Sequence, residues 1–279
     1  MNVIGLGHCG SAIAKRFQQY DQYSVYVVDT EKWTDPAACY VLEKQSNPEG
    51  YEANCPNLKL FFDDLDGDVL FILGGSGMIS GAALRILEQI QHCKISVLYV
   101  QPNLDFLSGN HALQENATFG VLQQYARSGL FERLYLVDNV SIEESLGSVS
   151  VIDYYEKINE AIASTLHMIH VWKHTKPVMG NLSDPTEVER ISTFGVMDVD
   201  SGKEKLFFPI ENVSNKAIHY AINENSLQKE TDIHGHIRVQ IKDKMIDGTD
   251  VSFGIYPTNY AGSQAYVMVS TKIVQNKGT

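Results

Sequence analysis

The sequence is poor in several features, and each shortage closes off a class of function. It has four cysteines in 279 residues, Cys9, Cys39, Cys55 and Cys93, and no C-x-x-C pair. A disulfide frame or a structural zinc site needs closer and more regular spacing, so these read as free thiols of a reducing compartment. No run of Lys and Arg occurs, and 22 basic residues face 34 acidic ones, a formal net charge of -12. A phosphate backbone rewards basic patches, so nucleic acid is not an expected partner. No apolar run approaches the ~20 residues that a membrane helix requires, and no membrane insertion is expected. The opening MNVIGLG lacks a basic segment ahead of an apolar one. The reading therefore expects no secretion signal and a cytoplasmic protein. Internal repeats and low-complexity tails are missing as well.

What remains is an ordinary globular composition, 44% hydrophobic, enough to bury a sizeable core in one large domain or two moderate ones. Apolar and β-branched runs at 2–5, 24–30, 68–73, 94–102 and 133–139 read as buried strands. Between them, 80–91 and 111–129 carry apolar residues at helical spacing, and 150–174 runs without a break as the longest helix. Strands alternating with helices predict an α/β fold, a parallel Rossmann-like sheet with helices on both faces. In such sheets ligands bind at the carboxyl ends of the strands, where the loops at 5–11, 29–31, 74–81, 101–110 and 139–148 all fall. After Pro177 the texture changes to short alternating runs such as AIHYAI, HIRVQIKD and QAYVMVST. These predict a smaller β-rich C-terminal domain, with domains at 1–175 and 176–279.

Chemistry concentrates in two glycine loops. GLGHCG at 5–10 satisfies G-x-G-x-x-G between a strand and a helix, and the next strand ends on Asp29. That pattern gives a tight turn at Gly5 and Gly7, close backbone approach to a pyrophosphate, and a helix N-terminus facing the anion. A bare structural turn is the alternative. An NAD-dependent oxidoreductase would use this loop with Asp29 on the ribose, and would need no other. The chain has a second loop, VLFILGGSGMISGAAL at 69–84, again between a buried strand and a helix. Two such loops suit a ligand with several phosphates held from two sides.

Over roughly residues 2–190 the sequence resembles the tubulin and FtsZ superfamily. VIGLGHCGSAIAKRF looks like that family's first phosphate loop and helix, which implies nucleotide contacts by Gly5, Gly7, His8, Cys9, Gly10 and Ser11. GSGMISGAA at 75–83 falls on the family's signature loop G-G-G-T-G-[ST]-G-A-A, so Gly75, Ser76, Gly77, Met78, Ile79, Ser80 and Gly81 are its counterparts. QPNLDFLSG at 101–109 resembles a proline-containing loop near the ribose, and SNPEG at 46–50 a turn in that family. SVIDYYEKINEAI at 150–162 is similar to the entry of the family's long helix, and places Tyr155 and Asn159 where the family stacks on guanine and bonds its edge. The spacing of four puts both on one helix face.

The resemblance implies GTP or GDP as ligand, accompanied by Mg, and self-association head-to-tail into filaments in which an acid of one subunit reaches the nucleotide of the next. Here the donor segment is GNLSDPTEVE at 180–189, with Asp184 as its best catalytic acid and no second acid at the family's spacing. Met78 and Ile79 replace a Thr and a Gly of the signature loop. The first substitution removes a hydroxyl and the second stiffens the backbone. These departures predict slow or absent hydrolysis, and they leave open a relative that binds no nucleotide.

Other groupings read more simply. His167, His170 and His174 lie along one helix with no acidic or Cys partner, and no metal site is expected there. HGH at 234–236 reads as a turn, Asp63, Asp64, Asp66 and Asp68 as a solvated acidic turn, and Cys9 as a small residue beneath the phosphate loop.

Overall fold

The computed structural model describes residues 1–34, 38–229, 232–246 and 248–276. The chain divides into two compact units, Met1–Ala163 and Ser164–Thr279. The first holds strands β1 (Asn2–Leu6), β2 (Ser24–Asp29), β3 (Ala38–Val41), β4 (Asp68–Gly74), β5 (Lys94–Gln101) and β6 (Arg133–Asp138). They lie side by side in the order 3-2-1-4-5-6, every neighbouring pair parallel. Strands covered on both faces need apolar residues at every position, and Val69–Leu73 of β4 are all fully buried.

Parallel strands require crossovers, and the helices supply them. They are α1 (Gly7–Arg16), α2 (Pro48–Ala53), α3 (Ala83–Gln89), α4 (Gly109–Arg127), α5 (Asn139–Leu146) and α6 (Tyr154–Lys173). The division between the units falls within α6, the longest helix among the described residues. Residues 139–146, expected as loop, form α5 because Asp138 caps it: its Oδ1 accepts from the Ser141 N–H at 2.8 Å and its Oδ2 from the Ser141 hydroxyl at 2.6 Å. The acidic turn is solvated as expected, with Asp63, Asp64, Asp66 and Asp68 all exposed.

The second unit contains β7 (Met179–Gly180), β8 (Ile191–Met197), β9 (Glu204–Leu206), β10 (Val213–Asn223), α7 (Glu224–Lys229), α8 (Ile233–Lys244), β11 (Asp250–Thr258) and β12 (Gln264–Thr271). The strand order is 8-12-10-11-7, with β9 beside β8. Among the described strands of this unit only β10 and β11 pair in parallel, so the chain must cross over between them, and α7 and α8 make that crossing. Here the structure corrects the sequence reading: HIRVQIKD is helix rather than strand, and the HGH stretch is its first turn rather than a loop. The alternation of Ile237, Val239 and Ile241 suggests a strand. Val239 is exposed, however, while Ile237 and Ile241, four apart, are buried against Ile218, Tyr220 and Val267.

Candidate functional site

The parallel register brings the ends of β1, β2, β4, β5 and β6 to one edge. Leu6 pairs with Val28 and with Leu73, so the two glycine loops emerge from adjacent strands at the point where chain order reverses. This is the switch point at which open α/β sheets bind ligands.

Each glycine of the first loop is demanded by geometry. Gly7 has φ +68° and opens α1 directly on the end of β1. A Cβ on Gly5 would overlap the Gly10 carbonyl, and one on Gly10 would overlap the carbonyl of Ile72 in β4, so helix and strands meet backbone to backbone. The first turn of α1 has no side-chain cap and no acid. Its leading N–H groups are therefore directed outward without an internal acceptor, an arrangement that suits an anion. Ser11 is wholly buried behind the loop, its hydroxyl donating to the Gly5 carbonyl at 3.4 Å. Burial pushes the Cys9 thiol up to about 12. All four cysteines are free.

The second loop is held from three sides. The Gly75 N–H donates to the Val100 carbonyl at 3.0 Å, and the Tyr99 hydroxyl stands where a Gly75 side chain would be. Tyr99 itself donates to the buried Glu115 of α4 at 2.6 Å. From α4, Gln114 Nε2 donates to the Ser80 hydroxyl at 3.0 Å, and an imidazole nitrogen of His111 meets the Ser76 carbonyl at the same distance. Ser80 in turn donates to the Gly77 carbonyl. On the third side, Gly81 packs so closely on the Pro48 carbonyl of α2 that no Cβ fits. The SNPEG turn thereby acquires a local cause: Asn47 caps α2, accepting from the Gly50 N–H at 2.7 Å.

Between the loops lies a cavity of about 610 Å³. Of the residues singled out by sequence, Gly7, His8, Cys9 and Asp29 line it, as do Gly75 to Ile79, Tyr155 and Asn159. Gly5, Gly10, Ser11, Ser80 and Gly81 stand behind the loops as packing and bonding positions. Asp184 belongs to the other unit, where its exposed carboxylate pairs with Lys173 at 3.1 Å. Tyr155 is 70% exposed, with Tyr154 set edge-on to it at 5.2 Å, and the Tyr154 hydroxyl donates to Glu143 at 3.1 Å.

The buried Asp29 is already engaged. One oxygen accepts from the Thr30 N–H at 2.7 Å and the other from the Trp33 indole at 2.8 Å, while His8 lies tilted against the Trp33 ring at 5.4 Å. Lining residues that sequence reasoning missed include Thr30, Tyr51 and Asn139. The Asn47 cap before Tyr51 and the Asp138 cap before Asn139 are signals that could have located two of them.

No group of three His, Cys, Asp or Glu residues able to hold a metal occurs among the described residues. In α6, burial pushes the His170 imidazole down to about 3 and lowers that of His167 as well. Among the described residues no helix is long and apolar enough to cross a membrane.

No protein-family model matches the chain, and no curated protein matches it. Solved structures do. TubZ of Bacillus thuringiensis serovar israelensis, in a GTPγS-form protofilament, aligns with a TM-score of 0.73 at 16% identity, covering 96% of this chain and 87% of that one. GDP-bound monomeric CetZ1 from Haloferax volcanii gives 0.70 at 18%, covering 98% and 94%. An empty FtsZ dimer of M. jannaschii gives 0.63 at 13%, covering 97% and 87%. The chain has the tubulin/FtsZ fold: a mostly parallel α/β sheet followed by a β-rich unit.

Proposed function

We propose that the chain binds a guanine nucleotide in the cavity between its two glycine loops and self-associates head-to-tail into filaments, with slow or no hydrolysis. The nucleotide-binding domain is taken as 1–175, with all of α6. One observation carries the reading. A single cavity is lined by both glycine loops and also by Tyr155 and Asn159, residues that sequence reasoning assigned separately to phosphates and base. Backbone amides of Gly7 to Cys9 and of Gly75 to Ile79 suit the phosphates, Tyr155 offers an open ring face, and Asn159 offers an amide for a base edge. Further support comes from the fold's presence in a GTPγS-form TubZ protofilament and in GDP-bound CetZ1. An accompanying Mg would be held chiefly by phosphate oxygens and water, because Asp29 is the one carboxylate lining the cavity among the described residues and is bound to Thr30 and Trp33. That engagement also weakens the NAD-dependent oxidoreductase reading, which needs Asp29 for a ribose.

The deciding experiment is calorimetry with GTP, GDP and NADH on one sample. Guanine nucleotide should bind, and tight NADH binding without response to either guanine nucleotide would reverse the assignment. A head-to-tail contact is heterologous and propagates into a filament. In that contact Asp184 would be the acid presented to a neighbour's nucleotide, helping to polarise water. Light scattering and phosphate release with GTP test this in the wild type and Asp184→Ala. Rapid release unaffected by Asp184→Ala would remove Asp184 from the site.

A further inference from the structure

The two glycine loops touch, at Cys9 against Gly74 and at Ile79 against Gly7. The Ile79 Cγ2 methyl lies against Gly7, so close that a Cβ there would overlap it, and a Cβ on Gly77 would stand 3.7 Å away. Neither side of the contact is free to yield. Gly7 is fixed at φ +68° at the start of α1. The turn carrying Ile79 is tied by the Ser80 N–H to the Gly77 carbonyl at 3.0 Å, by Gln114 to Ser80, and by the packing of Gly81 on Pro48. A β-branched side chain in a helical turn has essentially one favourable χ1, so the methyl cannot easily rotate away.

The electrostatics act in the same direction. Among the described residues the cavity lining contains no Lys or Arg and one carboxylate, Asp29, which is bound to Thr30 and Trp33. Among the described lining residues, negative charge meets backbone amides, the His8 imidazole and the α1 dipole, the last equivalent to about half an elementary charge. A further phosphate would add charge with no Lys or Arg among the described lining residues to meet it, and where the loops meet the structure offers the apolar methyl of Ile79 instead of a donor.

We infer that Ile79 makes the cavity selective for a nucleoside diphosphate over the triphosphate. The inference rests on the nucleotide reading above and names which ligand that site prefers. Calorimetry on the full chain with GDP, GTP and GTPγS in the presence of Mg tests it. In the wild type GDP should bind about tenfold or more tighter than either triphosphate, the scale expected when a rigid packed site must accommodate extra atoms. Ile79→Val keeps both γ-carbons and should keep the ratio. Ile79→Ala removes them and should bring the affinities within about threefold, by tightening the triphosphates. Circular dichroism checks that the variants are folded. If the Ala variant does not fold, the wild-type ratio and the Val variant still decide the matter. Equal binding of GDP and GTPγS by the wild type, or an unchanged ratio in a folded Ile79→Ala, would overturn the inference and leave nucleotide binding standing. Absence of binding by all three would overturn both.

Discussion

Replacing Gly10 by Ala tests whether the first glycine loop is shaped by backbone contact, and Gly120 provides the control. Both glycines lie inside helices, α1 and α4, where Ala is favoured over Gly by about 1 kcal/mol. At Gly120 a new Cβ meets nothing within 4 Å, so Gly120→Ala should raise stability by about that amount. At Gly10 the Cβ would overlap the Ile72 carbonyl oxygen, with the Ile72 carbonyl carbon at 3.0 Å and the Gly5 carbonyl carbon at 3.4 Å. Overpacking typically costs about 1–3 kcal/mol where side chains can give way. Here the obstacle is the backbone of β4, held between β1 and β5, so the upper end applies. Offset by the helix gain, a net loss of about 2 kcal/mol is expected. Relief requires α1 to lift off the sheet, which displaces His8 and Cys9 at the cavity wall, so nucleotide affinity should fall as well. Urea unfolding followed by far-ultraviolet circular dichroism reads the stability, and calorimetry reads the affinity. If Gly10→Ala raises the urea midpoint as Gly120→Ala does, the tight helix–strand contact is not there and the reasoning fails.

Three further outcomes follow from the packing. Burial lowers the His219 imidazole to about 4, with Asp184 opposing the shift. The unfolded chain then binds the extra proton first, so stability is intact above about pH 6.5 and falls by about 3 kcal/mol on acidification towards pH 4. His219→Gln should make the urea-midpoint profile shallower over that window by His219's share, the buried His167 and His170 supplying the rest of the slope, and an unchanged profile would exclude His219 as a source. Burial alone would raise the Glu204 carboxyl, but Lys216 at 2.7 Å and Lys244 at 2.6 Å hold it below the usual range. Glu204→Ala strands two largely buried ammonium groups and should cost about 3 kcal/mol by chemical denaturation, with part recovered when Lys216→Met is added. Asp138→Ala removes the α5 cap and should cost about 1 kcal/mol, whereas Asp138→Asn, which can still accept from Ser141, should cost much less. Equal losses in the two variants would show that charge rather than capping matters there.

By itself the sequence determined the strand–helix alternation of the first unit, because strands buried on both faces must be written as unbroken apolar runs such as VLFIL. It also determined the phosphate-loop candidates, since Gly5 and Gly7 answer to local demands, an approach to the Gly10 carbonyl that leaves no room for a Cβ and a positive φ, whereas the approach of Gly10 to Ile72 of β4 is a tertiary contact. The spacing of four between Tyr155 and Asn159 likewise sets both on one helix face, whatever the rest of the chain does. Tertiary structure decided what distance along the chain conceals. Whether HIRVQIKD became helix or strand depended on β10 and β11 pairing in parallel, a fact held by residues on either side of it. The share of the cavity taken by Tyr51 and Asn139 depended on helices that are short, and whose caps are legible only once their neighbours are placed. That Ser80 and Gly81 serve as braces rather than as wall, that Asp29 is committed to Trp33, and that Ile79 lies on Gly7 are contacts between segments distant or offset in sequence. No residue pattern encodes them, because they come into being only when the sheet's parallel register brings separate loops to one edge.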